Sequence, residues 1–151
     1  MILISACLCG INCKYNGKNN LNEKIESLLK KENVMVICPE QLGGLPTPRT
    51  PNEIWGGTGK EVLSGEAKVL NKDKADSTHC FIKGAEEVLK LAKMVNIEYI
   101  ILKSKSPSCG KGIIYDGTFS GRKIQGNGVT AELLINNGFK VVTEIEYLNS
   151  L

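Results

Sequence analysis

The sequence has very little histidine, since His79 is the only one among 151 residues. Zinc sites closed by protein use four Cys or His ligands, so a closed zinc site here would have to recruit several cysteines. No two of the six cysteines have the Cys-x-x-Cys spacing of a zinc ribbon. The pattern disfavours a zinc ribbon, and we expect His79 to be a solvated or capping residue.

The chain also lacks a long apolar segment and a charged leader. No stretch approaches the ~20 apolar residues that span a bilayer, and the first apolar run begins at Met1. The formal net charge is +3 and the basic residues are scattered, which gives no indication of a nucleic-acid surface. We expect a cytoplasmic protein, a monomer or small homo-oligomer, with no membrane or DNA partner.

The six cysteines need another explanation than disulfides. A chain without a secretory signal is expected to stay in a reducing compartment, and a domain of this size needs no covalent cross-links. Metal binding or thiol catalysis therefore gains weight as their function.

Composition and hydrophobic pattern predict one domain over residues 1–151. A hydrophobic content of 42% is typical of a globular protein. Apolar runs predict four strands, at residues 1–4, 34–37, 99–102 and 139–142. Periodicity predicts three helices: one capped by Asn22, one from Ser77 or Thr78 to Val95, and one opened by residues 126–128 and closed by Gly138. This order predicts an α/β protein with a small three-layer, Rossmann-like fold and a mostly parallel sheet of about four strands.

A long segment after the second strand, residues 39–59, is rich in proline and glycine. A loop of this length inside a compact domain is usually functional. Beyond it, residues 61–63 and 68–70 flank Ser-Gly-Glu, which predicts a small β-hairpin.

Three of the predicted strands are each followed by a cysteine. Cys7 and Cys38 come soon after the first two strands, and Cys109 lies in the loop Ser-Lys-Ser-Pro-Ser-Cys-Gly after the third. Because the carboxyl ends of parallel strands meet at one edge, we expect these thiols to converge. Buried structural cysteines are the alternative, but these three stand among glycine and proline and not within the apolar runs. Thiolates without imidazole favour an iron–sulfur cluster, and three ligands leave one iron open.

The other cysteines leave alternatives open. Cys9 and Cys13 are expected to be bystanders, although Cys7, Cys9 and Cys13 together are also spaced to hold a cluster from one loop. Cys80, at the start of a helix, is expected to be a packing residue. A zinc- or cluster-stabilised binding module and a thiol redox protein both compete with an enzyme.

Polar residues near the three strand ends complete the candidate site. Glu40 follows Cys38 by two residues, which makes it the candidate general base. Arg49 either forms a salt bridge with Glu53 that pins the long loop or contacts a substrate. The glycines of residues 126–128 are expected to free helix N-terminal amides toward the site.

In these motifs the sequence resembles the thiouracil desulfidase family. The likeness extends over nearly the whole chain and is carried by Tyr15 and by residues 5–10, 38–40, 43–49, 104–110, 115–119 and 126–130. The resemblance implies a 4Fe-4S cluster held by Cys7, Cys38 and Cys109, with a fourth iron free to take sulfur from a thiolated base such as thiouracil.

The chemistry that this implies is a hydrolytic, non-redox desulfuration. A thiocarbonyl sulfur is soft and suits an open iron, which polarises the carbon for attack by water. Glu40 would take the proton of the water, and Ser104 or Ser106 with Lys103 would hold the ring or stabilise developing charge. The further expected substrate contacts are Ser5, Arg49 and Gly128. The expected partner is a small thiolated base, with a thiolated nucleoside of RNA less favoured.

Overall fold

A computed structural model describes residues 1–151. The strands are β1 (Ile2–Ser5), β2 (Val34–Ile37), β3 (Asn52–Trp55), β4 (Lys68–Asn71), β5 (Tyr99–Leu102), β6 (Ile113–Tyr115), β7 (Lys123–Gln125) and β8 (Val141–Thr143). The α-helices are α1 (Glu23–Lys31), α2 (Pro39–Leu42), α3 (Gly59–Ser64), α4 (Thr78–Met94), α5 (Val129–Asn136) and α6 (Glu144–Asn149). A single 3₁₀ turn, Ala6–Cys9, follows β1.

The central sheet has four parallel strands in the order β2-β1-β5-β8, which confirms the predicted fold class. Ser5 at the end of β1 lies opposite Ile37 at the end of β2, and Ile4 pairs with Ile101 of β5. The carboxyl ends of these three adjacent strands therefore meet at one edge. All four predicted strands are present, with the last one shifted to begin at Val141.

Helices cover both faces of this sheet, giving three layers. On one face, Leu3, Ile100 and Leu102 pack against Val88 of α4 and Leu134 of α5. On the other face the buried cluster contains Ile2, Ile4, Leu8, Ile25 and Ile101, with Tyr147 of α6 packed against it. Burial on both faces is the reason that these strands are continuous apolar runs.

The predicted hairpin over residues 61–63 and 68–70 is wrong. Residues 59–64 form α3, which Gly65 ends in the left-handed conformation at φ 86°. β4 pairs instead with β3. β3 lies within residues 39–59, the segment expected to be an irregular loop. Val62 of this helix is buried against β3 and β4. Tertiary packing therefore outweighed the strand-like alternation of apolar and polar residues in this segment.

The three predicted helices are all present. Asn22 caps α1 through its side-chain oxygen, which accepts from the Lys24 amide. Ser77 precedes α4, and Gly128 precedes α5. The short helices α2 and α6 and the β6–β7 hairpin were not predicted, because few residues carry their patterns. None of the helices combines the length and apolar character needed to cross a membrane.

Helices α2 and α4 touch through two glycines. A Cβ on Gly84 would collide with the carbonyl oxygen of Pro39, and a Cβ on Gly43 would collide with that of Cys80. The backbones of the two helices are therefore in direct contact. Because α2 begins directly after Cys38, this contact sets the position of the second strand-end thiol.

We expect Gly84→Ala to destabilise the protein by roughly 1–3 kcal/mol, the usual cost of overpacking. Helix propensity alone would stabilise the variant by about 1 kcal/mol. A decrease in the free energy of unfolding would therefore indicate the close contact between α2 and α4. Urea unfolding measures it. Lys83→Ala, at the exposed neighbouring position, is the control and should stay within about 0.5 kcal/mol. A Gly84→Ala protein at least as stable as the native one would contradict the contact.

Candidate functional site

A cavity of about 610 Å³ lies at the carboxyl edge of the central sheet. The thiols of Cys7, Cys38 and Cys109 line it, as the order of the strands predicted, and Cys13 lines it as well. Glu40 is part of the same wall. The cavity therefore combines several soft sulfur donors with a carboxylate.

Cys7 is held in the 3₁₀ turn directly after β1. Gly10 ends this turn at φ 90°, a conformation that glycine adopts without strain. The backbone amide of Asn20 donates to the Cys7 carbonyl at 2.8 Å, which ties the following loop to the turn. Hydrogen bonding from Cys13, with a further contribution from Asn20, lowers the pKa of the Cys7 thiol despite its burial.

Cys38 occupies the N-cap position of α2, with Pro39 as the first helical residue. Hydrogen bonding from Cys13, together with the backbone amide of Gln41, lowers the pKa of the Cys38 thiol to about 7. Burial and the nearby Glu40 carboxylate act against this shift. Cys38 is thus readily converted to a thiolate, the form that binds metal.

Cys109 lies in a loop whose shape is held by a serine hydroxyl of the same loop. The Ser106 Oγ accepts hydrogen bonds from the amides of Ser108 at 3.1 Å and Cys109 at 3.0 Å. Lys105 takes a left-handed conformation at φ 66°, which is strained for a residue with a side chain. Burial strongly raises the pKa of the Cys109 thiol, partly offset by the Ser5 hydroxyl. These hydrogen bonds therefore hold the buried Cys109 thiol in one position.

The N-terminus of α5 supports this loop and does not face a ligand. The amides of Gly128, Val129 and Thr130 donate to the carbonyls of Gly110, Pro107 and Ser108 at 2.7–2.9 Å. Gly128 does not line the cavity, and a Cβ there would lie 2.5 Å from the Ser108 oxygen. Gly128 was expected to contact substrate, and in the structure this glycine allows the helix to approach the Cys109 loop closely.

Cys13 was expected to be a bystander, but it lines the same cavity as Cys7, Cys38 and Cys109. It is buried, and hydrogen bonding with Cys38 and Cys7 raises the pKa of its own thiol. The Cys38 Sγ also donates to the Cys13 carbonyl at 3.9 Å. Cys9 differs, since it packs against the apolar core and burial raises its pKa to about 11. Neither Cys9 nor Cys80 lines the cavity.

Glu40 and Arg49 form a partly buried ion pair at the cavity wall. Arg49 Nε donates to Glu40 Oε1 at 3.2 Å, and the side chains are 5% and 17% exposed. The other guanidinium nitrogens donate to the carbonyls of Cys13 at 2.9 Å and Pro46 at 3.2 Å and to the hydroxyl of Thr47 at 3.1 Å. Burial raises the pKa of Glu40, and Arg49 only partly offsets it. Arg49 holds the carboxylate and the Cys13 loop together.

The salt bridge considered between Arg49 and Glu53 does not form. Glu53 Oε1 instead accepts the backbone amides of Gly117 at 2.9 Å and Phe119 at 3.2 Å. Phe119 lines the cavity in a left-handed conformation at φ 56°. Glu53 therefore fixes the loop after β6 along one side of the cavity, a role that no sequence motif indicated.

Ser104 and Lys103 line the cavity just beyond β5, and both contact Glu144. The Ser104 Oγ donates to Glu144 Oε1 at 2.7 Å, and the Ser104 amide donates to Oε2 at 2.7 Å. Lys103 Nζ lies 3.0 Å from Glu144 Oε1. Glu144 was not anticipated, because it lies in no motif of the sequence and the helix that it begins, α6, was not predicted. Its place directly after β8, at the same sheet edge, is the clue that was missed.

Ser5 and Ser106, two of the expected substrate contacts, line the cavity with hydroxyls already engaged by the protein. The Ser5 Oγ accepts the Lys103 amide at 3.0 Å. Each hydroxyl thus ties together backbone segments that carry cavity residues.

The fold and the cavity define a small α/β protein with a thiol-lined site at the carboxyl edge of its parallel sheet. The sequence profile of the family described as 2-thiouracil desulfurase matches residues 2–146, so this chain belongs to that family.

Two relatives agree with this. A Bacillus subtilis (strain 168) protein, YbbK, described as uncharacterized, is 51% identical over 146 residues, covering 97% of each chain. A solved structure described as the 4Fe-4S-dependent thiouracil desulfidase TudS is 35% identical, with a TM-score of 0.85 over 98% of this chain and 93% of that one. The resemblance seen in the sequence is confirmed.

Proposed function

We propose that this protein is a desulfidase that removes sulfur from a thiolated pyrimidine such as thiouracil. A 4Fe-4S cluster bound by Cys7, Cys38 and Cys109 is its cofactor. The observation that carries the proposal is the convergence of three thiols, from three adjacent strand ends, on one cavity that also holds a partly buried carboxylate. Family membership and the cluster dependence of TudS support the same chemistry.

The donor set fits an iron–sulfur cluster better than a zinc ion. The cavity offers thiols without imidazole, and thiolate is the usual ligand of such clusters. When bound through three cysteines, the cluster supplies an open, Lewis-acidic iron for the soft sulfur of a thiocarbonyl.

Glu40 is the residue that we assign to proton transfer from water. The overall reaction, thiouracil plus water giving uracil plus hydrogen sulfide, balances without electrons, so it needs a base and no reductant. Glu40 lines the cavity, is held by Arg49, and has a raised pKa, which makes its carboxylate a stronger base than an exposed one. The fixed Arg49 contact limits the positions that the carboxylate takes.

Lys103 and Ser104 are the groups that we assign to the pyrimidine ring. The ring develops negative charge when water adds to the thiocarbonyl carbon, and an ammonium group in the wall stabilises that charge. Ser104 offers an oxygen to a ring N–H or to the attacking water. Ser5 and Ser106 shape the same wall through backbone contacts. A cytoplasmic location and a monomer or small homo-oligomer stay predictions.

Anaerobic purification followed by iron and sulfide reconstitution tests the function. We expect a brown protein with a broad visible absorption band that releases uracil and sulfide in equal amounts from thiouracil, while the chelated protein releases neither. A colourless protein with tightly bound zinc would favour a binding module. Oxidation and reduction of thiols without sulfide release would favour a thiol redox protein.

A further inference from the structure

Glu144 is a buried carboxylate outside the cavity that bonds to two residues of its wall. It is 9% exposed and is not among the lining residues. One of its oxygens accepts the Ser104 hydroxyl and lies 3.0 Å from Lys103 Nζ, and the other accepts the Ser104 amide. Lys103 Nζ also donates to the Ser104 Oγ at 3.2 Å. The three side chains form a closed triangle of polar contacts.

These contacts decide what the wall presents to a bound molecule. The only hydrogen of the Ser104 hydroxyl is directed to Glu144, so the oxygen faces its surroundings as an acceptor. The Lys103 ammonium has three hydrogens and three partners, namely Glu144 Oε1, the Ser104 Oγ and the Ser104 carbonyl at 3.2 Å. The ammonium is therefore held as a fixed positive charge, which is the form in which charge assists a reaction most.

The stability of α6 does not account for Glu144. Its neighbour Glu146 completes the capping box with Thr143 and pairs with Lys111 at 3.0 Å. The helix start is thus satisfied without Glu144. Burying a carboxylate is unfavourable unless its partners compensate, and here the partners are Ser104 and Lys103. Burial acts to raise the pKa of Glu144, but these hydrogen bonds outweigh burial and hold the pKa below its usual value.

We propose that Glu144 is the positioning residue that orients the Ser104 hydroxyl and anchors the Lys103 ammonium in the cavity wall. The inference rests on the proposed function for its catalytic meaning. Glu144 touches no substrate and acts through the other two residues. It is the counterpart, on the β5 and β8 side of the cavity, of Arg49 on the β2 side.

Glu144→Gln is expected to remove the contacts of the carboxylate with the Ser104 hydroxyl and the Lys103 ammonium while leaving the fold intact. The amide is nearly isosteric and still accepts the Ser104 amide, but its NH₂ group accepts neither the Ser104 hydroxyl nor the ammonium. We expect kcat for thiouracil to fall about 10- to 100-fold, with KM and iron content close to native. Glu146→Gln, two residues along the same helix, is the matched control and should keep the native kcat.

A double-mutant cycle tests whether Glu144 acts partly through Ser104. If it does, the loss in Ser104→Ala with Glu144→Gln is smaller than the product of the two single losses, because the hydroxyl that Glu144 orients is already gone and only the anchoring of Lys103 remains to be lost. Fully multiplicative losses in the double variant, or a native kcat in Glu144→Gln, overturn the proposal. A loss in kcat matched by an equal loss in Glu146→Gln would also overturn it, since it would show only a weakened helix.

Lysine acylation gives a readout that does not need turnover. In the cluster-loaded protein, mass spectrometry after treatment with an amine-reactive reagent should show Lys103 labelled several-fold faster in Glu144→Gln and Lys111 faster only in Glu146→Gln. If the native protein turns over no thiolated pyrimidine, the proposed function fails. The labelling then decides alone: faster labelling confined to Lys103 supports the anchoring of the ammonium, and unchanged labelling overturns it.

Discussion

Cys109→Ser is expected to abolish iron loading, and Cys7→Ser and Cys38→Ser are expected to do the same. Each removes one of the three thiols that converge from adjacent strand ends, and two remaining thiolates do not hold a four-iron cluster. Serine is close to cysteine in volume, so the fold should survive, which circular dichroism checks. Iron and sulfide analysis after anaerobic reconstitution, with the visible absorption spectrum, measures the loss.

The other cysteines provide matched controls for this experiment. Cys9→Ser and Cys80→Ser change thiols outside the cavity and should load iron as the native protein does. Cys13→Ser should also retain the cluster, because Cys13 lies in the first loop and not at the end of a strand, so the three strand-end thiols remain. Full loading of Cys7→Ser together with loss in Cys13→Ser would move the cluster site into the first loop.

Glu40→Gln is expected to lower kcat by about 100-fold or more while leaving the cluster and the binding of thiouracil intact. Glutamine cannot take a proton from water, but its oxygen still accepts the hydrogen bond that Arg49 Nε gives to Glu40. The position of the side chain should therefore survive and its basicity should not. Timed assays of uracil release measure kcat, and calorimetric titration of the slow Glu40→Gln variant with thiouracil measures binding.

Glu53→Gln is the comparison for this result, because Glu53 is the other glutamate that lines the cavity. Its oxygen accepts backbone amides, which a glutamine oxygen also does, so we expect a small effect on kcat. If Glu53→Gln lost turnover and Glu40→Gln did not, Glu53 would be the base. Native kcat in both variants would direct the search to Asp116.

The central sheet and the edge that carries the site were predictable from the sequence. The runs at β1, β2 and β5 are short, apolar on both faces and separated by helical periodicity, and parallel connections of this kind leave few arrangements. That Cys7, Cys38 and Cys109 share one cavity followed from this arrangement. The prediction failed for residues 61–63, which form part of the short helix α3. An apolar pattern over so few residues does not distinguish a strand from a helix.

Contacts within the site were much less predictable. Arg49 was considered a partner of nearby Glu53, yet it pairs with Glu40 and reaches the Cys13 carbonyl 36 residues away. Gly128 was expected at the substrate and lies behind the Cys109 loop. In each case the path of a loop, which local patterns do not encode, brings the two groups together or keeps them apart.

The sequence by itself determined the family, the parallel sheet and the three thiols at its edge, because strand ends are local features and parallel topology makes them converge. Only the tertiary structure decided that Cys13 lines the same cavity as those thiols and that Arg49 holds Glu40. It also decided that Glu144 reaches Ser104 across 40 residues. These are side-chain contacts between distant segments, and their energies depend on burial and on distances of about 3 Å that exist only once the chain is packed.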